Sequence, residues 1–231
     1  MTVLVTGSNG NLGRAIINCF EKYNIRYIPY SHSMSLSDID WSSIKCIVNC
    51  AGVIPSSKAS NDDYLSGNVI YLQKLLEYSK DKQFIHFSTF SEIYKADFYQ
   101  KSKMLANSLL LINSNIFENL HILPLPTLDD INIINSIVSK AMKGEKPVVD
   151  ELIYNYMSFN EVAELTKNLV SNTSSYIPIS NYYTKKNLYD EVIKIVEPNL
   201  IIKGKYIDRA LFNNGIYYVM PSLINSLAKE D

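Results

Sequence analysis

The segment that most constrains this chain is Thr6-Gly7-Ser8-Asn9-Gly10-Asn11-Leu12-Gly13. It follows an apolar, β-branched run, Val3-Leu4-Val5, and leads into Arg14–Tyr23, where Ala15, Ile16, Cys19 and Phe20 repeat at helical spacing. A strand, a glycine-rich turn and a helix in this order predict the first βα unit of an α/β fold. Each glycine has a separate use: Gly7 permits a sharp turn, Gly10 lets the backbone approach a pyrophosphate, and Gly13 lets the helix pack closely on the strand. The start of such a helix offers unpaired N–H groups and a positive dipole end to phosphate oxygens. Gly7, Asn9, Gly10, Asn11, Leu12 and Gly13 are therefore predicted to line a dinucleotide site. The alternative is a tight βα connection without a ligand.

The alternation continues. Strands are predicted at 26–30, 45–49, 84–87 and 121–125, and helices at 68–78 and 99–112. Lys45–Asn49 is apolar enough for burial on both faces, and Val69, Leu72, Leu75 and Leu76 mark one helical stripe. Right-handed crossovers between such strands give an α/β, Rossmann-type, doubly wound parallel sheet. After Pro126 the pattern loosens. A helix is predicted at about 131–142. Ser158-Phe159-Asn160-Glu161 has the form of a capping box opening a helix with Val162, Leu165 and Leu169, and a last helix carries Leu188, Val192, Ile195 and Val196. The division expected is 1–126 for the sheet domain and 127–231 for a small substrate-binding lobe, a size that 231 residues accommodate.

A net charge of −1 argues against a nucleic-acid protein, which carries a basic excess. The three cysteines, Cys19, Cys46 and Cys50, stand in apolar settings, as expected for reduced thiols of a cytoplasmic protein. No His or Cys pair has metal-ligand spacing, and no apolar run is long enough to span a bilayer. The chain opens almost directly on Val3-Leu4-Val5, so a charged leader is not expected. The expected partner is a small molecule.

Tyr99-Gln100-Lys101-Ser102-Lys103 places a phenol and an ammonium four residues apart on one helix face. A lysine one turn away favours the phenolate and lowers a tyrosine pKa from about 10. The phenol can then exchange a proton with a substrate oxygen near neutral pH. Lys101 is out of phase with Tyr99. The Gly-x-x-Gly-x-x-Gly spacing after a threonine, with Tyr-x-x-x-Lys following the fourth strand, resembles the short-chain dehydrogenase/reductase superfamily. The likeness is to its extended branch, the NAD-dependent epimerases and dehydratases, with the 4-keto-sugar reductases as the member class most similar. Asn49-Cys50-Ala51-Gly52, Asp38-Ile39, Asn68-Val69 and Ile122–Thr127 resemble further segments of that family in order and spacing.

The resemblance implies NAD or NADP as cofactor and a nucleotide-linked sugar as substrate. Tyr99 would be the acid/base, and Lys103 its tuner and the ribose anchor. Thr89 would hold the reacting oxygen, with Ser91 and Ser88 as alternatives. It adds Asp38, Ile39, Cys50, Ala51, Gly52 and Asn68 to the cofactor contacts and implies a homodimer through paired helices. His86 is expected to be structural. Four departures stand out. Tyr94 to Tyr99 is short for the extended branch. The part after Thr127 is small. Pro29-Tyr30-Ser31-His32 offers neither a carboxylate for a ribose hydroxyl nor an arginine for a 2′-phosphate. Thr89 is followed by Phe90-Ser91-Glu92 rather than the dehydratases' Asp-Glu, which favours ketone reduction or epimerisation over dehydration. The shortened loop also motivates a rival reading, a non-catalytic NAD(P)-binding regulatory or partner-binding module.

Overall fold

The computed structural model describes residues 1–56, 58–89, 97–125, 127–128, 153–171 and 181–184. Its main sheet has five parallel strands: β1 (Thr2–Thr6), β2 (Tyr27–Tyr30), β3 (Ile44–Asn49), β4 (Gln83–Thr89) and β5 (Asn119–Leu125), in the order β2-β1-β3-β4-β5. β1 is buried throughout, and β3 and β4 nearly so, as parallel strands covered on both faces must be. The outer strands β2 and β5 each carry a proline, Pro29 and Pro124, whose missing ladder donor is tolerated at a sheet edge.

Between the strands lie α1 (Asn11–Lys22), α2 (Asn61–Leu65), a wide π turn (Ser66–Ile70), α3 (Tyr71–Leu76) and α4 (Phe98–Ile112). Leu72 and Leu75 of α3 and Ala106 and Leu110 of α4 pack with Leu4, Ile47 and Phe84 of the sheet in one buried cluster. On the other face, Ile16 and Phe20 of α1 are fully buried, and α1 packs on α5 (Phe159–Val170). α5 buries Val162, Leu165 and Leu169, and its Leu169 carbonyl accepts a hydrogen bond from Gln83 Nε2 at 3.0 Å. At the edge of this pair Glu164 meets Lys167 at 2.8 Å and Lys22 at 3.7 Å, and Lys167 Nζ lies 4.1 Å from the centre of the Tyr23 ring.

The placement of α5 corrects the linear division. The chain forms two compact units, Met1–Leu125 with Phe159–Pro178, and Pro126–Ser158 with Ile179–Asp231. The helix expected in the lobe belongs to the first unit, because its apolar stripe finds its partner on α1. The second unit contains strands where only helices were expected: β6 (Thr127–Leu128), β7 (Ile153–Met157) and β8 (Asn181–Thr184), with β7 parallel to β6 and antiparallel to β8. The helices expected near 131–142 and over 188–196 lie outside the described residues. The helix predicted to open at Asn68 begins at Asn61, where Ser60 and Asp63 form a reciprocal capping box.

Candidate active site

The strand order reverses at β1, so a crevice opens beyond the carboxyl ends of β1 and β3, the usual place for a ligand in an open α/β sheet. Two loops meet there. Gly7 has φ +62°, a region that L side chains rarely adopt, and a Cβ on it would stand 2.7 Å from the Cys50 carbonyl and the Ala51 nitrogen. A Cβ on Gly13 would collide with the Gly7 carbonyl oxygen, and one on Gly10 would sit 3.3 Å from that same oxygen. Gly10 N–H donates to Gly7 O at 2.9 Å, which closes the turn. Gly10 is also the N-cap of α1 and supplies no side chain to cap it, so the helix start keeps its donors and carries no acidic residue in its first turn. Asn9, Gly10 and Asn11 are exposed and Leu12 is half-buried. Ser8 ties the turn to β2, donating from its N–H and its hydroxyl to Tyr30 O at 3.2 and 3.0 Å.

Below the crevice a buried polar chain crosses three strands. Thr6 Oγ1 donates to Asn49 Oδ1 at 2.6 Å, and Asn49 Nδ2 faces His86 Nδ1 at 3.0 Å. With its carbonyl oxygen taken by Thr6, Asn49 donates to Nδ1, which puts the imidazole proton on Nε2. His86 is 1% exposed, and burial, with the Lys103 cation as the smaller cause, pushes its pKa well down and keeps it neutral. This is the structural role expected of it. Cys50 lies near the same cation, yet burial outweighs the attraction and pushes its thiol pKa up, so it is a poor nucleophile.

α4 starts at Phe98 with Asp97 as its cap, the carboxylate accepting the Gln100 N–H at 3.1 Å. Tyr99 is therefore in the first turn, half-buried, and Lys103 lies one turn on, 7% exposed. Lys103 Nζ donates to Phe87 O at 2.7 Å, which holds the ammonium against the carboxyl end of β4, two residues before Thr89. Thr89 is the last residue of β4 and is half-buried. Ser88 accepts from Asn107 Nδ2 of α4 at 2.8 Å, and Ser91 lies outside the described residues. Gly52 sits against Asn68, where a Cβ would be 2.9 Å from Oδ1. Asn68 binds the Val53 peptide through both its polar groups, accepting from N–H at 2.8 Å and donating to O at 3.2 Å, and also donates to Ser102 Oγ at 2.9 Å.

Gly7, Gly10 and Gly13 pack on one another, Gly7 also on Cys50 and Ala51, Gly52 packs on Asn68, and Asn68 reaches α4 through Ser102, whose hydroxyl donates to the Tyr99 carbonyl. Asp38 is exposed, and Ile39 is buried in the same core cluster as Tyr30. Sequence reasoning missed Tyr64, whose ring centre lies 5.7 Å from that of Tyr99, and Ser102, which sits inside the Tyr-x-x-x-Lys segment. Among the described residues no group of three or more His, Cys, Asp or Glu side chains is arranged to hold a metal, and no helix is long and apolar enough to cross a membrane.

No protein-family model and no curated protein sequence matches the chain. Solved structures do. A dTDP-4-dehydrorhamnose reductase from Clostridium acetobutylicum superposes with a TM-score of 0.66 at 17% identity, over 84% of this chain and 80% of the other. The UDP-glucuronic acid 4-epimerase of Bacillus cereus, solved with NAD and a fluorinated UDP-sugar, gives 0.67 at 15% identity over 84% and 83%. A Thermus thermophilus UDP-glucose 4-epimerase in complex with NAD gives 0.60 at 14% identity over 85% and 83%. The fold is the one these structures share, α/β and Rossmann-like, with the parallel strands in the order β2-β1-β3-β4-β5. The Asn49–Gly52 segment stands at the carboxyl end of β3, and the Lys103 ammonium lies against that of β4.

Proposed function

We propose that the chain is an NAD(P)-dependent oxidoreductase or epimerase acting on a nucleotide-linked sugar, with 4-keto-sugar reduction as the reaction class favoured. What supports this reading is the presence of two features at the carboxyl end of one sheet. One is a glycine turn packed so closely that side chains are excluded at Gly7 and Gly13. The other is a buried lysine one helical turn from a half-buried tyrosine. The glycine turn fits a dinucleotide: its uncapped helix start offers N–H donors where a pyrophosphate would lie, and the Cys50–Gly52 loop runs alongside. The bound nicotinamide would supply the hydride acceptor or donor.

The chain's own residues do the rest. Lys103, pinned by Phe87 O, keeps a positive charge beside Tyr99 and favours its phenolate. Tyr99 moves a proton to or from the substrate oxygen. Thr89 donates a hydrogen bond that holds that oxygen in place. The lack of an Asp-Glu pair after Thr89 disfavours dehydration. The tip of β2 carries Ser31 and His32 without a carboxylate, so both NAD and NADP are accommodated in this reading. The exposed apolar side chains of α4, Met104, Leu105, Leu111 and Ile112, 50–79% exposed, support a homodimer. The free thiols of Cys19, Cys46 and Cys50 suit a cytoplasmic protein.

The test is NADH and NADPH oxidation across a panel of nucleotide-linked keto-sugars. Turnover on at least one is expected. Tight dinucleotide binding with no turnover anywhere on the panel would favour the non-catalytic module instead.

A further inference from the structure

Tyr99 lies in the first turn of α4, where N–H groups lack intrahelical partners and helices fray. A phenol that must bring one proton within hydrogen-bond reach of a reacting oxygen tolerates little of that motion. Part of the restraint comes from the Asp97 cap. A second restraint comes from a different element. Tyr64, in α2 and 9% exposed, sets its ring 5.7 Å from that of Tyr99 with the planes tilted by 58°, an attractive arrangement for two aromatic quadrupoles. Four residues on, Asn68 donates to Ser102 Oγ at 2.9 Å, and Ser102 Oγ donates to the Tyr99 carbonyl at 2.7 Å. Asn68 is in turn locked to the Val53 peptide by two hydrogen bonds, and the loop stays close because Gly67 has no Cβ: one would stand 2.5 Å from Val53 Cγ2.

We propose that Tyr64 is a positioning residue for Tyr99. It acts with the Asn68–Ser102 bond as a two-point brace, one point on the ring and one on the main chain, so that the loop after β3 and the first turn of α4 are held as a single body. The proposal rests on the reading of Tyr99 as the acid/base. It assigns the effect to the Tyr64 ring and not to its hydroxyl, so phenylalanine substitutes for it and an aliphatic residue does not.

The test compares Tyr64→Leu, Tyr64→Phe, Ser102→Ala and Tyr99→Phe in the full chain, each checked for folding by thermal melting and for NADH affinity by fluorescence. In turnover of a nucleotide-linked keto-sugar, Tyr64→Leu is expected to lower kcat about tenfold or more with KM for NADH within about twofold, since a misplaced group loses rate before it loses binding. Ser102→Ala is expected to do the same to a smaller degree, and Tyr64→Phe to restore the wild-type rate. A second readout needs no turnover: the rate at which tetranitromethane nitrates Tyr99, followed by peptide mass spectrometry. It should rise severalfold in Tyr64→Leu and stay at the wild-type value in Tyr64→Phe, with buried Tyr30 as the internal control. Wild-type kcat and nitration in a folded Tyr64→Leu, alongside an inactive Tyr99→Phe, overturn the brace alone. Full activity in Tyr99→Phe overturns the acid/base reading and the brace with it.

Discussion

Single residues divide here into those that shape the crevice and those proposed to act in it, and the two kinds are expected to respond differently to substitution. Gly13→Ala forces a methyl onto the Gly7 carbonyl, so it should cost stability, about 1–3 kcal/mol as overpacking does, and cofactor binding together. Gly10→Ala meets Gly7 O at 3.3 Å, a tight but yielding contact. It should therefore melt within about 2 °C of the wild type yet bind NADH at least about tenfold more weakly, because the proposed dinucleotide site needs bare backbone there for the phosphates. Equal loss of stability in both variants, measured by thermal melting and NADH titration, would count against the crevice. His86 makes a separate prediction. Its folded pKa lies below the unfolded value of about 6.5. Its contribution is therefore fully present above that pH, and is lost as pH falls from there toward the folded pKa, by up to about 1.4 kcal/mol per pH unit. Urea unfolding from pH 7.5 to 5 should show this slope, and His86→Gln should flatten it. A residual slope from half-buried His121, shifted the same way by burial, is expected to remain. An unchanged slope in His86→Gln contradicts the assignment.

Secondary-structure elements were legible where an apolar period or a glycine marked them. β1, α1, β3, β4 and α4 stand within a few residues of their predicted positions, and the glycine turn falls between β1 and α1 because few other residues could occupy it. What the sequence hid was partnership. The stripe of Val162, Leu165 and Leu169 announced a helix, but nothing in chain order says that it docks on α1 rather than within the segment that surrounds it. Likewise Tyr64 and Ser102 carry no motif of their own, since an aromatic ring and a hydroxyl acquire meaning only from what lies opposite. The Ser60-x-x-Asp63 cap was readable and would have started the helix at Asn61. The Asp97 cap offers a test at this scale. Asp97→Ala should destabilise the protein by about 1 kcal/mol and Asp97→Asn by much less, because asparagine still accepts the Gln100 N–H. Urea midpoints would show it; indistinguishable values for the two variants would argue that α4 is held without its cap.

For the molecule as a whole, the fold is shared with solved structures at 13–17% identity, so the fold is established while the proposed chemistry rests on a few side chains. An exposed apolar run along α4 is expected to be covered in solution: sedimentation should give a dimer at micromolar concentration, and Leu105→Lys should shift it toward monomer. A wild-type chain that stays monomeric would refute the dimer. The central claim is that one crevice binds the dinucleotide through the glycine turn and moves a proton through Tyr99. Single-turnover oxidation of bound NAD(P)H by a nucleotide-linked keto-sugar tests it most directly. Tyr99→Phe is predicted to slow that step by about 10²–10⁴-fold with the dinucleotide Kd unchanged; equal rates in the two proteins would contradict it.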